Sequence, residues 1–444
     1  NLHFKFGIKN LYHRMIFTAA ALVSERYGAD LNGIKNRGYE VFRNVIRDTI
    51  QKSLEDNKKQ NMKLDILMEV YIDIKMNIVE NKEAINDFID CVIEISDSVN
   101  SDNWNGEDVM GIFFNEFNRY KKKSESGQVF TPDHITSLMY KILEVNANDK
   151  ILDAACGSGA FLVKSMSNMI KEVGGINTKE AKKIKEHSLF GIEFDREIFA
   201  LACANMMIHK DGKTNLEQLD SRDKEASEWI KSKGITKVLM NPPFERKYGC
   251  KKIVENVLNS VPSGIKCAFI MPEKKMEKDK MGKLLEKHHL EAIIKLPEKL
   301  FDAGVTTSIY VFETGKKQVG EIYGCYIEDD GLERVKNQGR QDIKDKWMEL
   351  ENYWVDSIRK RNDTKYGTSQ WIDPKKFLSY QKPKAEFVLY EEDFVKTMMN
   401  YLMFKNKIDV KEFSDKLINK TLYNSEILKE DNNIVIKIKD AEDE

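Results

Sequence analysis

In "VLMNPPFERKYG", residues 238 to 249, an apolar run ends on an asparagine, two prolines and a phenylalanine. Proline cannot donate to a β-ladder and restricts the residue before it, so the backbone from Asn241 to Pro243 is stiff. Such a segment can hold the Asn241 amide oxygen and the Pro242 carbonyl as two acceptors on one small amine. An exocyclic amine on an aromatic ring is a poor nucleophile because its lone pair is delocalised into the ring. Two fixed acceptors favour its pyramidal form as positive charge develops on nitrogen. Phe244 offers a face on which a base can stack. No strong base is needed, since the nitrogen turns acidic once it has attacked an electrophile. Taken alone, the same four residues fit an ordinary proline turn equally well.

A second constellation lies about eighty residues earlier, in "KILDAACGSGAFLVKSM". Asp153 closes an apolar run, a turn follows over Cys156, Gly157, Ser158 and Gly159, and a helix is expected from about Phe161. The two glycines lack a β-carbon, which lets the chain turn tightly and a ligand approach the helix N-terminus. A lone G-x-G is weak, but the strand, turn and helix around it, with an acid just before it, strengthen a nucleotide reading. In "SLFGIEFDRE", Glu193 falls at the end of the next strand, where a carboxylate can accept both hydroxyls of a ribose. Standing alone it is also an ordinary solvent-facing acid at a helix start. The 34 residues from Gly159 to Glu193 exceed the spacing of about 20 in dinucleotide sites, which argues against a nicotinamide enzyme. Asp220, in "NLEQLDSRD", is a candidate acceptor for the exocyclic amine of an adenine, and equally a helix cap.

The surrounding chain supplies the elements that must hold these groups. From about 150 to 325, the short apolar runs "KILDAA", "SLFGIEF", "KVLMN", "CAFIMP", "EAIIKLP" and "SIYVFET" alternate with helical stretches such as "FLVKSMSNMI" and "REIFALACANMMI". Strands alternating with helices predict an α/β fold with a doubly wound, Rossmann-like sheet and ligands at the carboxyl ends of its strands. Residues 1–125 repeat apolar positions at helical spacing and are expected to form an all-helical N-terminal domain. "RYKKKSESGQ" reads as a linker, 126–328 as the catalytic domain, and the polar, lysine-rich 329–444 as a smaller, partly helical C-terminal region.

With 444 residues and 41% hydrophobic content, a large core and several domains are expected. A net charge of -1 gives no global basic signal, so any grip on nucleic acid comes from local patches or from a second chain. The six cysteines form no C-x-x-C pair and no histidine cluster accompanies them, which predicts neither structural zinc nor a disulfide framework, and no metal at the site. Nothing resembles a signal peptide or a membrane span, and the expected compartment is the cytoplasm.

Together the motifs resemble the amino-methyltransferases that use S-adenosyl-L-methionine, and in particular the methylase (M) subunit of type I restriction-modification systems, an adenine-specific DNA methyltransferase family. The resemblance covers about residues 105 to 325. "GQVFTPDHITSLM" is similar to the family's G-x-[FY]-F-T-P segment, which implies that Gln128, Phe130, Thr131 and Pro132 close over the methionine part of the cofactor. "LDAACGSGAFL" resembles D-P-A-C-G-S-G-x-F-L, with Ala154 in place of proline and Asp153, Gly157 and Gly159 kept. "GIEFD" carries the ribose-binding acid, Glu193, with Phe194 beside it, and "MNPPF" matches the catalytic N-P-P-[FY]. The order of FTP segment, cofactor turn and NPPF is that of the gamma group. This implies transfer of a methyl group from S-adenosyl-L-methionine to N6 of a flipped-out adenine in double-stranded DNA. It also implies a separate DNA-specificity subunit, a second methylase copy and a restriction subunit as partners. Residues 329–444 are few for a pair of sequence-reading domains, which agrees with a partner that reads the DNA. The alternatives are a stand-alone methyltransferase with its own short reader, a methylase of RNA or of a protein glutamine, and a non-catalytic descendant.

Overall fold

The computed structural model describes residues 2–56, 61–75, 80–100, 108–118, 131–209, 215–244, 249–277, 282–298, 300–301, 305–335, 339–383, 390–423, 425–430 and 433–438. The linker reading for 119–128 lies outside the described residues, as do Gln128 and Phe130.

The chain opens with helices α1 (Leu11–Arg26), α2 (Tyr39–Asp56), α3 (Asn61–Asp73), α4 (Lys82–Asn100) and α5 (Val109–Asn118), followed by α6 (Asp133–Ile142). The α/β part then runs β1 (Ile151–Asp153), α7 (Ala160–Glu172), α8 (Lys179–His187), β2 (Leu189–Ile192), α9 (Arg196–Ile208), β3 (Asn215–Glu217), α10 (Lys224–Lys233), β4 (Lys237–Met240) and α11 (Cys250–Ser260). It continues through β5 (Lys266–Pro272), the short α12 (Glu273–Met276) and α13 (Gly282–Leu285), β6 (His289–Lys295), β7 (Thr307–Glu313) and β8 (Ile322–Tyr326). A β9–β10 hairpin (Glu333–Val335, Gly339–Gln341), α14 (Trp347–Lys360) and β11 (Ser369–Ile372) complete it.

All six apolar runs read as strands are strands of one sheet, ordered β11-β8-β6-β7-β5-β4-β1-β2-β3. β3, β2, β1, β4 and β5 are mutually parallel, while β7 lies antiparallel between β5 and β6. From β1 the chain winds outward to β2 and β3, then returns to β4 on the other side. The crevice between β1 and β4 is therefore the topological switch point, where an open α/β sheet binds its ligand. The central strands are buried along nearly their whole length, as strands covered by helices on both faces must be.

Two of the expected domain boundaries do not appear. Residues 1–381 form one compact unit, and 382–444 a second. The N-terminal helices merge with the sheet through α9, whose "REIFALACANMMI" is apolar all round. Phe199, Ala202, Cys203 and Met206 face the sheet core, while Ile198, Leu201, Ala204, Met207 and Ile208 join the core of the helical bundle. There Phe17 stacks on Tyr71 with centroids 5.7 Å apart, and meets Phe6 and Phe88 at 5.6 and 5.4 Å. The boundary after 328 moves to 381, because β8 pairs in parallel with β6 and β11 closes the edge against β8. "SQWI" is too short a run, after too polar a stretch, to announce that pairing.

The second unit holds α15 (Glu391–Lys405), α16 (Val410–Tyr423) and the hairpin β12–β13 (Ser425–Glu430, Asn433–Ile438). Among the described residues, no helix is long and apolar enough to cross a membrane, and no group of three or more His, Cys, Asp or Glu is placed to hold a metal ion.

Candidate active site

One cleft at the switch point is lined by residues from every motif: Thr131, Asp153, Cys156 to Ser158, Glu193, Phe194, Asp220 and Asn241 to Phe244. Its floor is the turn between β1 and α7. Gly157 and Gly159 both adopt positive φ, +55° and +90°, and Gly159 is the N-cap of α7. A side chain at Gly159 would have room, since its nearest neighbour is Met206 Sδ at 3.6 Å; the left-handed backbone is what calls for glycine.

Glu193 ties the turn to the next strand. Its Oε2 accepts from the Gly157 N–H at 3.0 Å and its Oε1 from the Asp195 N–H at 2.9 Å, which leaves each oxygen a further lone pair for a ligand. Asp153, almost wholly buried at the end of β1, accepts from the Ala155 N–H at 3.1 Å. Burial, opposed by that hydrogen bond and reinforced by the charge of Glu193, pushes the Asp153 carboxyl up to about 8. Burial raises Glu193 as well. Two neighbouring acids that resist ionisation are suited to a ligand carrying positive charge, which would relieve both. Cys156 is buried beside them, and burial pushes its thiol well above the ordinary range. Phe194 stands 57% exposed at the cleft, an aromatic face open to a flat ring.

Asp220 lines the cleft but is already engaged. It accepts from Arg222 Nε at 2.8 Å and from the Arg222 backbone N–H at 2.9 Å, and Arg222 Nη2 binds its second oxygen. Those bonds hold the carboxyl below the usual carboxylate range. An adenine amine would share Asp220 with Arg222.

Asn241 follows β4 directly. Its Nδ2 donates to Thr131 Oγ1 at 2.9 Å, while its Oδ1 is buried without a hydrogen-bond partner among the described residues. A buried acceptor left unmade costs about 1 to 3 kcal/mol, so the site is poised to receive a donor there. Phe244, half-buried in the same cleft, meets the edge of Phe301 with centroids 5.5 Å apart and planes at 76°. Phe301 was not singled out by the sequence motifs as a site residue, although it ends "LPEKLF".

Thr131 is positioned from an unexpected direction. Pro132 caps α6, and α6 is clamped by segments that follow β8. Lys141 Nζ lies 2.6 Å from Glu351 Oε2 on α14, and Arg359 donates to the Lys141 carbonyl at 3.0 Å. His134 Nε2 lies 3.3 Å from Asp330 Oδ2. Burial pushes Asp330 up, but the hydrogen bonds of His134 and Arg340 outweigh it and hold the carboxyl at about 2. Part of the stretch expected to be a separate C-terminal region thus holds the partner of Asn241.

Residues 105–263 match the family model described as N-6 DNA Methylase. The chain is 30% identical over 340 residues to the type II restriction enzyme and methyltransferase RM.BcgI of Heyndrickxia coagulans, covering 70% of this chain and 51% of that one. It is 24% identical over 321 residues to the type I restriction enzyme MjaVII methylase subunit of Methanocaldococcus jannaschii, covering 60% and 53%. The chain spans about half the length of the curated relatives it matches. Among solved structures, one from work on complex assembly in the type I R-M system superposes with a TM-score of 0.59 at 15% identity, over 93% of this chain and 95% of that one. The ordered motifs, the sheet and the cleft agree with these likenesses: the segment 105–263, which carries the cofactor turn, Glu193 and the Asn-Pro-Pro-Phe stretch, is similar to N-6 DNA methylases, and the chain is similar to the methylase subunits of type I restriction enzymes.

Proposed function

We propose that the chain is a site-specific DNA methyltransferase that moves a methyl group from S-adenosyl-L-methionine to N6 of an adenine turned out of double-stranded DNA. It would act as the modification subunit of a restriction-modification system, beside a separate specificity subunit, a second methylase copy and a restriction subunit. The observation that carries this reading is Asn241, in the same cleft as the glycine turn, whose buried Oδ1 has no partner among the described residues.

When bound, the cofactor supplies an electrophilic methyl sulfonium. Glu193 would accept the ribose hydroxyls, Asp220 the adenine amine, and Phe194 would lie against the adenine ring. Gln128, Phe130, Thr131 and Pro132 would close the methionine end, and Asp153 with the turn from Cys156 to Gly159 the floor. Asn241 Oδ1 and the Pro242 carbonyl would accept from the target amine, Pro243 would stiffen the loop, and Phe244 would stack on the base. Catalysis on this reading is positioning and fixed polarity, with the proton lost to water.

Methylated product decides the matter. The chain, expressed with its genomic neighbours, is expected to leave N6-methyladenine at one sequence in host DNA, read by modification-sensitive sequencing. Unmodified DNA with labelled RNA or labelled protein glutamine would overturn the DNA reading. The likeness to RM.BcgI, named as restriction enzyme and methyltransferase together, supports a second arrangement in which cleavage and methylation are joined in one protein rather than split among subunits.

Cofactor affinity should also depend on pH. The ligand-free site holds a proton on Asp153 below about pH 8. A cationic cofactor favours the ionised acid, so the bound form releases that proton. Affinity is therefore expected to rise with pH, by up to about tenfold per unit, and to level off above about 8. Calorimetry from pH 6 to 9 checks this, with Asp153→Asn expected to flatten the profile.

A further inference from the structure

Fifty residues upstream of the cofactor turn, just before α5, Asp108 sits almost wholly buried. Its carboxylate accepts from Ser158 Oγ at 2.8 Å and from Asn205 Nδ2 at 2.7 Å. Asn205 Nδ2 also donates to the Ser158 carbonyl at 2.9 Å. The same carboxylate accepts from the Gly111 backbone N–H, and the Asp108 carbonyl accepts from the Ile112 N–H at 3.0 Å, which makes Asp108 the N-cap of α5. Three elements meet in this one acid: α5, whose Val109, Met110, Phe113 and Phe114 lie in the bundle core; the cofactor turn, through Ser158 Oγ; and α9, the helix shared by bundle and sheet, through Asn205.

The cap alone would need only an exposed Ser, Thr, Asn or Asp. Burying a carboxylate is costly unless its hydrogen bonds are made, and here they reach into the glycine turn rather than to solvent. Gly157 and Ser158 line the cofactor cleft, so the seating of α5 and the shape of that turn are linked through Ser158. We propose that Asp108 is a positioning residue that couples the N-terminal helical bundle to the cofactor site. With α5 seated, the turn is held in its binding shape; with the cofactor bound, α5 is held in its seat. Coupling of this kind is reciprocal, so whatever loads the bundle alters cofactor affinity by the same factor as the cofactor alters that load.

The inference rests on the assignment of 156–159 as the cofactor turn, and its test separates the two. S-adenosylhomocysteine, a non-reactive probe, is titrated into the full chain, and amide exchange of 109–118 is followed with and without it. In the parent chain, binding is expected to slow exchange in α5. Asp108→Ala should weaken binding about tenfold, as loss of one partner from a buried network does, and should abolish the protection of α5. Asp108→Asn should recover most of both, because its amide can still accept from Asn205 while donating to Ser158. Should Asp108→Ala fail to fold, Ser158→Ala cuts the same link from the other side and is expected to remove the protection alike. No binding by the parent chain would defeat the site assignment itself. Binding by the parent with unchanged α5 exchange, or equal affinity in a folded Asp108→Ala or Ser158→Ala chain, would overturn the coupling.

Discussion

Replacing Asn241 with alanine is expected to lower methyl transfer by at least about 100-fold while cofactor affinity changes by less than about threefold. The geometry separates the two effects. Asn241 lines the cleft with its Nδ2 committed to Thr131, and its Oδ1 is a buried acceptor with no partner among the described residues. An amine arriving there gains its bond as positive charge builds on nitrogen, so the interaction is stronger in the transition state than in the bound ground state. Asparagine to aspartate keeps the acceptor but cannot donate to Thr131 when ionised, and a smaller residual activity than the parent's is expected. Single-turnover transfer from labelled cofactor, set beside equilibrium binding, checks both numbers. Equal collapse of binding and transfer would show that Asn241 serves the cofactor rather than the amine.

Glu193→Ala should do the opposite and weaken cofactor binding by about 100-fold. The loss has two parts. The Gly157 N–H loses its acceptor at 3.0 Å, leaving a turn donor unmade at about 1 to 3 kcal/mol, and the ribose hydroxyls lose theirs at about 0.5 to 1.5 kcal/mol each. Glu193→Gln retains one oxygen and should lose about tenfold. The exposed Asp195 N–H turns to water, while the part-buried Gly157 N–H is left unmade, so thermal unfolding of the ligand-free chain should fall modestly. Titration of each variant, with its unfolding temperature, measures this. A large drop in stability with unchanged affinity would place Glu193 in the scaffold instead of the site.

The sequence alone marked the residues that meet in the cleft and most of the sheet. A strand that stops on Asn-Pro-Pro, a glycine turn after an acid and an acid at the next strand end are local patterns. Local patterns are legible because backbone restriction by proline and glycine, and short continuous apolar runs of strand length, act over a few residues. Asn205 was legible in principle, as the lone amide in an apolar helix, since a buried polar group implies a partner. Which partner was not legible, because Asp108 stands 97 residues away. The tertiary structure alone decided the rest: that α9 carries two cores on opposite faces, that β11 pairs with β8 and so extends the sheet past the expected boundary, and that Thr131 holds Asn241. Each of these is a contact between segments far apart in the chain, chosen by which buried surfaces and polar groups complement one another once packed. No run of neighbouring residues encodes that choice.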